Sequence, residues 1–267
     1  YSFDLLYSFE KYLEEQAIKD YPVHLEIETG MNRLGFSSRE VEEMAKHVVD
    51  TSLLSVQSVF SHLAASEDPS QDQFTGMQAE RFAAAVQIIE QYVRYPFLKH
   101  ISNSAGIVRH PALQMDMVRL GIGLYGIEVD SDDVLELVPA ATLRSTIAQL
   151  KQVKAGETVS YNRKGLVSRD SLIATVRIGY ADGYSRQFGN GVGKMLINGK
   201  LAPVIGTVCM DMTMVDVTDI DNVSEGDDVT VFGKKLPVQT VAEWINTIPY
   251  EVMTSISQRV KRIYFHE

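Results

Sequence analysis

Apolar residues at Leu6, Phe9, Leu13 and Ala17 recur at helical spacing, so the chain reads as opening on an amphipathic helix. From about residue 22 the rhythm changes. In VHLEIE (23–28), Leu25 and Ile27 alternate with Glu26 and Glu28, as on a strand with one apolar face. A helix is predicted over about 38–49, opened by a capping box of Ser37 and Glu40. LLSVQSVFSH (53–62) reads as a second strand and leads to a long helix over about 71–93, with Phe74, Met77, Arg81, Ala84, Ile88 and Tyr92 roughly in phase. KHIS (99–102) and VRLGIGLYG (118–126) supply two further strand ends. Alternating strands and helices favour a parallel sheet with helical crossovers.

Past the acidic stretch EVDSDDVLEL (128–137) the spacing shortens. DSLIATVRIG, GKMLING, LAPVIGTV, MTMVDV and DDVTVFG are short strand candidates separated by Gly and Asn turns, with a small helix near 238–246. The expected fold class is α/β: a partial (β/α)8 TIM-type barrel over 1–134, followed by a mostly antiparallel β domain over 135–267. The barrel is called partial because a complete one needs about 250 residues and the first half supplies roughly four βα units. No internal repeat or low-complexity segment is present.

Composition narrows the class. The net charge of −10 and a pI near 5.1 argue against a nucleic-acid surface, which needs clustered Lys and Arg. Cys209 is the single cysteine, so no internal disulfide can form, which fits a reducing, cytoplasmic setting. No run of about 18 apolar residues predicts a membrane span, so no membrane partner is expected. The first residues carry acids and no basic region, unlike a secretory signal.

Polar groups sit where parallel α/β sheets place their ligands, at the C-terminal ends of strands. His62 ends SVFSH, Asn103 and Ser104 end HISNS, and Arg119 enters VRLGIGLYG, where Gly121 leaves its amide open. Hydroxyl, amide and bare glycine N–H groups from several loops can together hold a phosphate. Each alone also reads as a core histidine or a turn. In the β half, Tyr161, Tyr180, Met210 and Asp211 stand out against apolar neighbours, although tyrosines are ordinary strand residues and Asp211 also reads as a turn carboxylate. No metal cluster is read from the spacing.

EIETGMNRLGF, SHLA, SNSAG, VRLGIGLYG, TVSYNRKG, IGYADGYSR, VCMDMTMVDV and YEVMTSISQRVKR, in that order from about 22 to 264, together resemble bacterial alanine racemase. The resemblance implies a fold-type III pyridoxal phosphate enzyme, a homodimer whose pockets are shared between subunits. It implies interconversion of L- and D-alanine for peptidoglycan synthesis. Tyr161 would be the base that takes the α-proton from L-alanine. Arg33, Met210, Asp211 and Tyr180 would contact substrate or frame its entrance. Arg119 would face the pyridine nitrogen, His62 would line the cofactor pocket, and Asn103, Ser104, Gly121, Ile122 and Tyr250 would surround the phosphate.

Two departures from the family pattern are read here. Where many members carry a carbamylated lysine, this chain has Glu26, which is expected to be the anion that orients Arg33 by a direct charge-assisted pair. The family's cofactor lysine, in a segment resembling VVKANAYGHG, has no counterpart: Lys11, Lys19, Lys46 and Lys99 lie in other contexts. The lysine-bearing opening is therefore expected to be missing and the polypeptide alone inactive or nearly so, with the cofactor itself absent in that case. Two other readings stay open: a non-catalytic dimerisation or scaffold module, and a racemase for another small amino acid such as serine.

Overall fold

The computed structural model describes residues 1–128 and 135–265. The chain divides into two compact units, Tyr1–Leu137 and Val138–Glu267. Most of the acidic stretch expected to mark the boundary, 129–134, lies outside the described residues.

In the first unit, α1 (Phe3–Glu15) is followed by β1 (Tyr21–Glu26), α2 (Val41–Asp50), β2 (Leu54–Phe60), α3 (Asp72–Tyr92), β3 (Leu98–His100) and the short α4 (Ser104–Arg109). The three strands form a parallel sheet in the order β1–β2–β3. Leu25 and Ile27 turn one side of β1 into a core with Val56 and Val59 of β2, Met44 of α2, and Phe82 and Ile89 of α3. The Ser37–Glu40 pair forms: the Ser37 amide and hydroxyl both donate to Glu40 Oε2, at 2.8 and 2.6 Å. Because the strands are parallel, the C-terminal ends of β1, β2 and β3 fall on one rim, where the polar candidates lie.

VRLGIGLYG is not the fourth strand its apolar residues predict. Ile122–Tyr125 forms a 3₁₀ turn, and the Gly121 backbone (φ −103, ψ −108) lies outside the strand region. The amides of Gly121 and Gly123 point to the Ser104 hydroxyl, so they are not available to a ladder.

The second unit holds β4 (Leu143–Val153), β5 (Thr158–Val159), β6 (Gly165–Leu166), β7 (Ser171–Val176), β8 (Lys194–Ile197), β9 (Lys200–Pro203), β10 (Thr213–Asp216) and β11 (Asp228–Phe232), then α5 (Val238–Trp244) and α6 (Pro249–Thr254). Six strands form an antiparallel sheet in the order β10–β7–β4–β11–β8–β9, and β5 and β6 pair separately. Asn198 (φ 47) and Gly199 (φ 77) make the tight turn between β8 and β9, the two-residue hairpin that needs positive φ at both positions. The mixed architecture, parallel then antiparallel, is the fold class the sequence predicts. No described helix is long and apolar enough to cross a membrane.

Candidate functional site

In the first unit the site is organised around Arg119. Its Nη1 donates to His100 Nδ1, a short contact, and its Nη2 donates to the Ser61 carbonyl at 2.6 Å and lies 3.4 Å from His62 Nδ1. The guanidinium carbon stands 5.2 Å over the Phe60 ring, and Phe60 is stacked flat on His100. No carboxylate pairs with Arg119 among the described residues; backbone carbonyls and imidazole nitrogens receive its protons. Burial pulls the guanidinium below its usual pKa, Glu26 opposes that shift and Arg33 adds to it. Burial also lowers His62, helped by the charges of Arg119 and Arg33, and lowers His100 from 6.5 to about 4. Both imidazoles are therefore neutral near pH 7.

Beside it lies a cluster of small donors. Ser104 Oγ accepts from the Gly121 and Gly123 amides, at 2.9 and 3.3 Å. Ile122, between them, is buried and begins the 3₁₀ turn. Asn103 caps α4: its Oδ1 accepts from the Gly106 amide (2.9 Å) and the Ser66 hydroxyl (2.8 Å). Both sets suit a phosphorylated pyridine. The Arg119 Nη atoms are committed to protein acceptors, whereas its Nε–H meets none among the described residues and suits an acceptor ring nitrogen. The Ser104 hydroxyl proton is likewise uncommitted there, and it suits a phosphate oxygen.

Arg33 lies at the exposed tip of the loop between β1 and α2. Glu28 builds that loop, its carboxylate accepting from the Gly30 amide and, at 2.7 Å, the Asn32 amide. Gly35 (φ +117) closes it where a Cβ would stand 2.6 Å from the Glu28 nitrogen. The direct Glu26–Arg33 pair expected from the sequence is not formed among the described residues. The loop carries Arg33 into solvent, while Glu26 stays on β1, where its charge acts on Arg119 and the Tyr1 amino group.

In the second unit Tyr161 rides on a strained loop. Ser160, Asn162 and Arg163 all have positive φ (71, 56 and 56), uncommon for residues with a Cβ and concentrated at functional positions. The loop is pinned by the Ser160 hydroxyl, which donates to the Thr207 carbonyl at 2.6 Å, and by close packing of Ser160 and Val159 on Gly206. Gly206 and Thr207 lead to Cys209, Met210 and Asp211. The Tyr180 and Ala181 amides donate to the Cys209 and Met210 carbonyls, each at 3.0 Å. Arg259 joins the same parts, with Nε on Asp182 (2.7 Å) and Nη2 on Asp211 (2.6 Å). Four predicted residues, Tyr161, Tyr180, Met210 and Asp211, thus sit on three loops bonded to one another. Tyr250 lies on α6, whose end packs on the 179–183 turn through the Ser255 hydroxyl and Gly183 carbonyl (3.0 Å).

The residues that support the site are not legible in the sequence. Gln78, fully buried on α3, donates to Thr29 Oγ1 (3.1 Å) and the His62 carbonyl (3.0 Å) and accepts from the Ala64 amide (2.9 Å). It reads as one more in-phase position of a helix, and only a buried amide on an apolar face hints at its role. His24, Ser58, His100 and Arg259 likewise read as ordinary polar positions until their partners, distant in sequence, are known. Among the described residues no three His, Cys, Asp or Glu side chains form a metal cluster.

Two family models match in succession: alanine racemase, N-terminal domain, over residues 2–129, and alanine racemase, C-terminal domain, over 140–264. Alanine racemase 2 of Caldanaerobacter subterraneus subsp. tengcongensis is 38% identical, over 99% of this chain and 70% of its own length. Alanine racemase of Methanococcus maripaludis is 36% identical, over 100% and 72%. Among solved structures, alanine racemase of Clostridium difficile 630 has a TM-score of 0.89 at 35% identity, covering 99% of this chain and 70% of that one. Alanine racemase from Bartonella henselae with covalently bound pyridoxal phosphate has a TM-score of 0.86 at 30% identity, covering 99% and 72%.

Proposed function

The chain belongs to the alanine racemase family, and from that premise we propose that its residues serve the interconversion of L- and D-alanine with pyridoxal phosphate. When bound, that cofactor supplies an electron sink that makes the α-hydrogen of an amino acid acidic. The observation that carries the reading is Arg119, a half-buried guanidinium with both Nη atoms committed and one N–H without an acceptor among the described residues. Arginine has no acceptor and is not a proton source near pH 7, so it holds a pyridine nitrogen by donation without protonating it. Ser104 and Ile122 would hold the phosphate, with the Gly121 amide orienting the Ser104 hydroxyl and Asn103 keeping α4 in place. His62 would line the ring.

In this reading Tyr161 takes the α-proton from L-alanine, the strained loop fixing its approach. Met210 and Asp211 line the substrate end, Tyr180 narrows the entrance, and Arg33 meets the substrate carboxylate. Tyr161, Met210 and Tyr180 are 68, 53 and 43% exposed, a concentration of large apolar side chains that supports a homodimer with shared sites. The product would be D-alanine for peptidoglycan, made in the cytoplasm.

Racemisation needs a second base facing Tyr161, and residues 1–267 hold no lysine in family-like surroundings. Lys46 and Lys99 are engaged in ion pairs with Glu42 (2.7 Å) and Glu90 (2.8 Å). We therefore expect these 267 residues alone to bind the cofactor without covalent attachment and to racemise slowly or not at all. The test has two parts. Cofactor absorbance should titrate on mixing, with affinity falling at least about tenfold in Arg119→Ala and Ser104→Ala, as loss of charge-assisted bonds requires. D-Alanine should form when a lysine-bearing opening segment is co-expressed with the chain, and Tyr161→Phe should abolish its formation from L-alanine. Affinity indifferent to Arg119, or D-alanine formation indifferent to Tyr161, would overturn the proposal.

A further inference from the structure

Three side chains on neighbouring strands form a line that ends on Arg119. His24 on β1 stands in register opposite Ser58 on β2, and His100 on β3 stands opposite Phe60, two residues further along. Alternation along a strand therefore puts His24, Ser58 and His100 on one face of the sheet. His24 Nδ1 lies 2.6 Å from Ser58 Oγ, and Ser58 Oγ lies 3.0 Å from His100 Nε2. His100 Nδ1 meets Arg119 Nη1. Ser58 is fully buried and His100 is 4% exposed, so water does not substitute for the Ser58–His100 contact at low cost, while His24 closes the line at its exposed end.

The chemistry of the groups fixes the direction of every proton. A guanidinium only donates, so His100 Nδ1 is the bare nitrogen of a neutral ring. His100 Nε2 then carries the hydrogen and donates to Ser58 Oγ. The Ser58 hydroxyl proton is left to His24 Nδ1. Donation runs one way, Arg119 to His100 to Ser58 to His24. The opposite tautomer of His100 would aim an N–H at the guanidinium.

We propose that Ser58 and His24 are positioning residues that lock His100 in its Nε2–H tautomer and so hold the Arg119 guanidinium in a single orientation. Ser58 anchors the far side of the ring, and His24 takes up the hydroxyl proton so that the oxygen lone pairs of Ser58 stay free for His100. The line also carries no proton toward Arg119, because each hydrogen in it is donated away. The significance for catalysis rests on the reading of Arg119 as the partner of the cofactor's ring nitrogen, since a relay aimed the other way would expose that nitrogen to an acid.

The test uses the 267-residue protein without cofactor, labelled with ¹⁵N in histidine, and reads the two ring nitrogens of His100, assigned by the signals lost in His100→Gln. The wild type is expected to show Nε2–H in at least about tenfold excess, the preference one net hydrogen bond can enforce. Ser58→Thr should keep that pattern because it keeps the hydroxyl. Ser58→Ala should reduce the excess severalfold, and His24→Phe should shift the His100 Nε2 resonance with the fold intact by circular dichroism. A protonated Nδ1 in the wild type, or His100 signals unchanged in both Ser58→Ala and His24→Phe, would overturn the inference. In a second arm, cofactor titration of Ser58→Ala and Ser58→Thr should give affinity weakened severalfold in the first and retained in the second. Wild-type protein that takes up no cofactor would sink the cofactor reading alone, because the imidazole result is obtained without it.

Discussion

Gly179 lies where the chain allows no side chain at all. Its φ of −149 is open to any residue, so conformational freedom is not the reason for glycine. A Cβ there would stand 2.3 Å from the Cys209 oxygen, 2.4 Å from the Met210 oxygen and 2.5 Å from the Met210 carbonyl carbon, all below the 3.0 Å that real Cβ atoms respect. These are backbone atoms that cannot swing aside, so Gly179→Ala must part the 179–183 turn from the 209–211 segment by several tenths of an ångström. The two amide bonds that join them, from Tyr180 and Ala181, would lengthen together. Two weakened hydrogen bonds at about 1 kcal/mol each, with overpacking of at least 1 kcal/mol, give a loss of about 3 kcal/mol. Trp244 is the single tryptophan and sits on α5, so its fluorescence in a urea titration reports the Val138–Glu267 unit. With a urea slope of about 2 kcal/mol/M, the midpoint should fall by roughly 1.5 M. Gly226→Ala is the control: φ is +91 and nothing lies within 4 Å, so only backbone strain of about 1 kcal/mol applies and the midpoint should fall by about 0.5 M. A Gly179→Ala midpoint no lower than that of Gly226→Ala would refute the close approach, and with it the coupling of Tyr180 to Met210.

Three further outcomes are expected. His100 has its pKa lowered from 6.5 to about 4, so the unfolded chain binds its proton first as pH falls. Its contribution is intact above pH 6.5, is lost between 6.5 and 4, and is constant below. The loss is about 3 kcal/mol, and circular dichroism melts, dominated by the helices of the first unit, should show it as a pH-dependent gap between wild type and His100→Gln; parallel curves would contradict it. The Tyr184 hydroxyl is buried without a hydrogen-bond partner among the described residues, and burial pushes its pKa up, so Tyr184→Phe should raise the Trp244-reported stability by about 1 kcal/mol; a loss of stability would contradict this. Arg259→Ala should leave the urea midpoint nearly unchanged, since the Arg259 side chain is itself exposed, yet speed amide exchange at 179–182 and 209–212; Arg259→Lys should not restore protection, because one ammonium cannot fork between Asp182 and Asp211.

What the sequence made legible follows the range of the forces involved. β1, β2, α2 and α3 were readable because burial on one face imposes a local period, and the Asn198–Gly199 hairpin was readable because only a few residues accept two positive φ angles. The 11-residue β4 was not anticipated, although it lies inside the six-stranded sheet. Only Leu143 and Ile147 along it are buried, so its outer part, where Ala148 and Leu150 alternate with Gln149 and Lys151 over four residues only, gives a weak local signal, and its place is set by pairing with β7 and β11. VRLGIGLYG failed in the opposite sense: its apolar residues promised a strand, but the glycine amides found a closer acceptor in Ser104.

The site divides along the same line. Arg119, Ser104 and Tyr161 stand in short segments whose polar residues interrupt an apolar pattern, and that interruption is visible one segment at a time. His24, Ser58 and His100 interrupt nothing locally: a histidine or serine on a strand face has an ordinary environment until the partner is known. Their partners lie 34 and 42 residues away, and Arg119 lies 19 beyond His100. The register of two parallel strand pairs brings them together, and register is fixed by the apolar face on the other side of the sheet, not by the polar groups themselves. It follows that a mutation of Leu25 or Val59 that slipped the register by one residue would turn His24 or Ser58 to the opposite face. Such a mutation would disconnect Arg119 although neither Leu25 nor Val59 is among its hydrogen-bond partners.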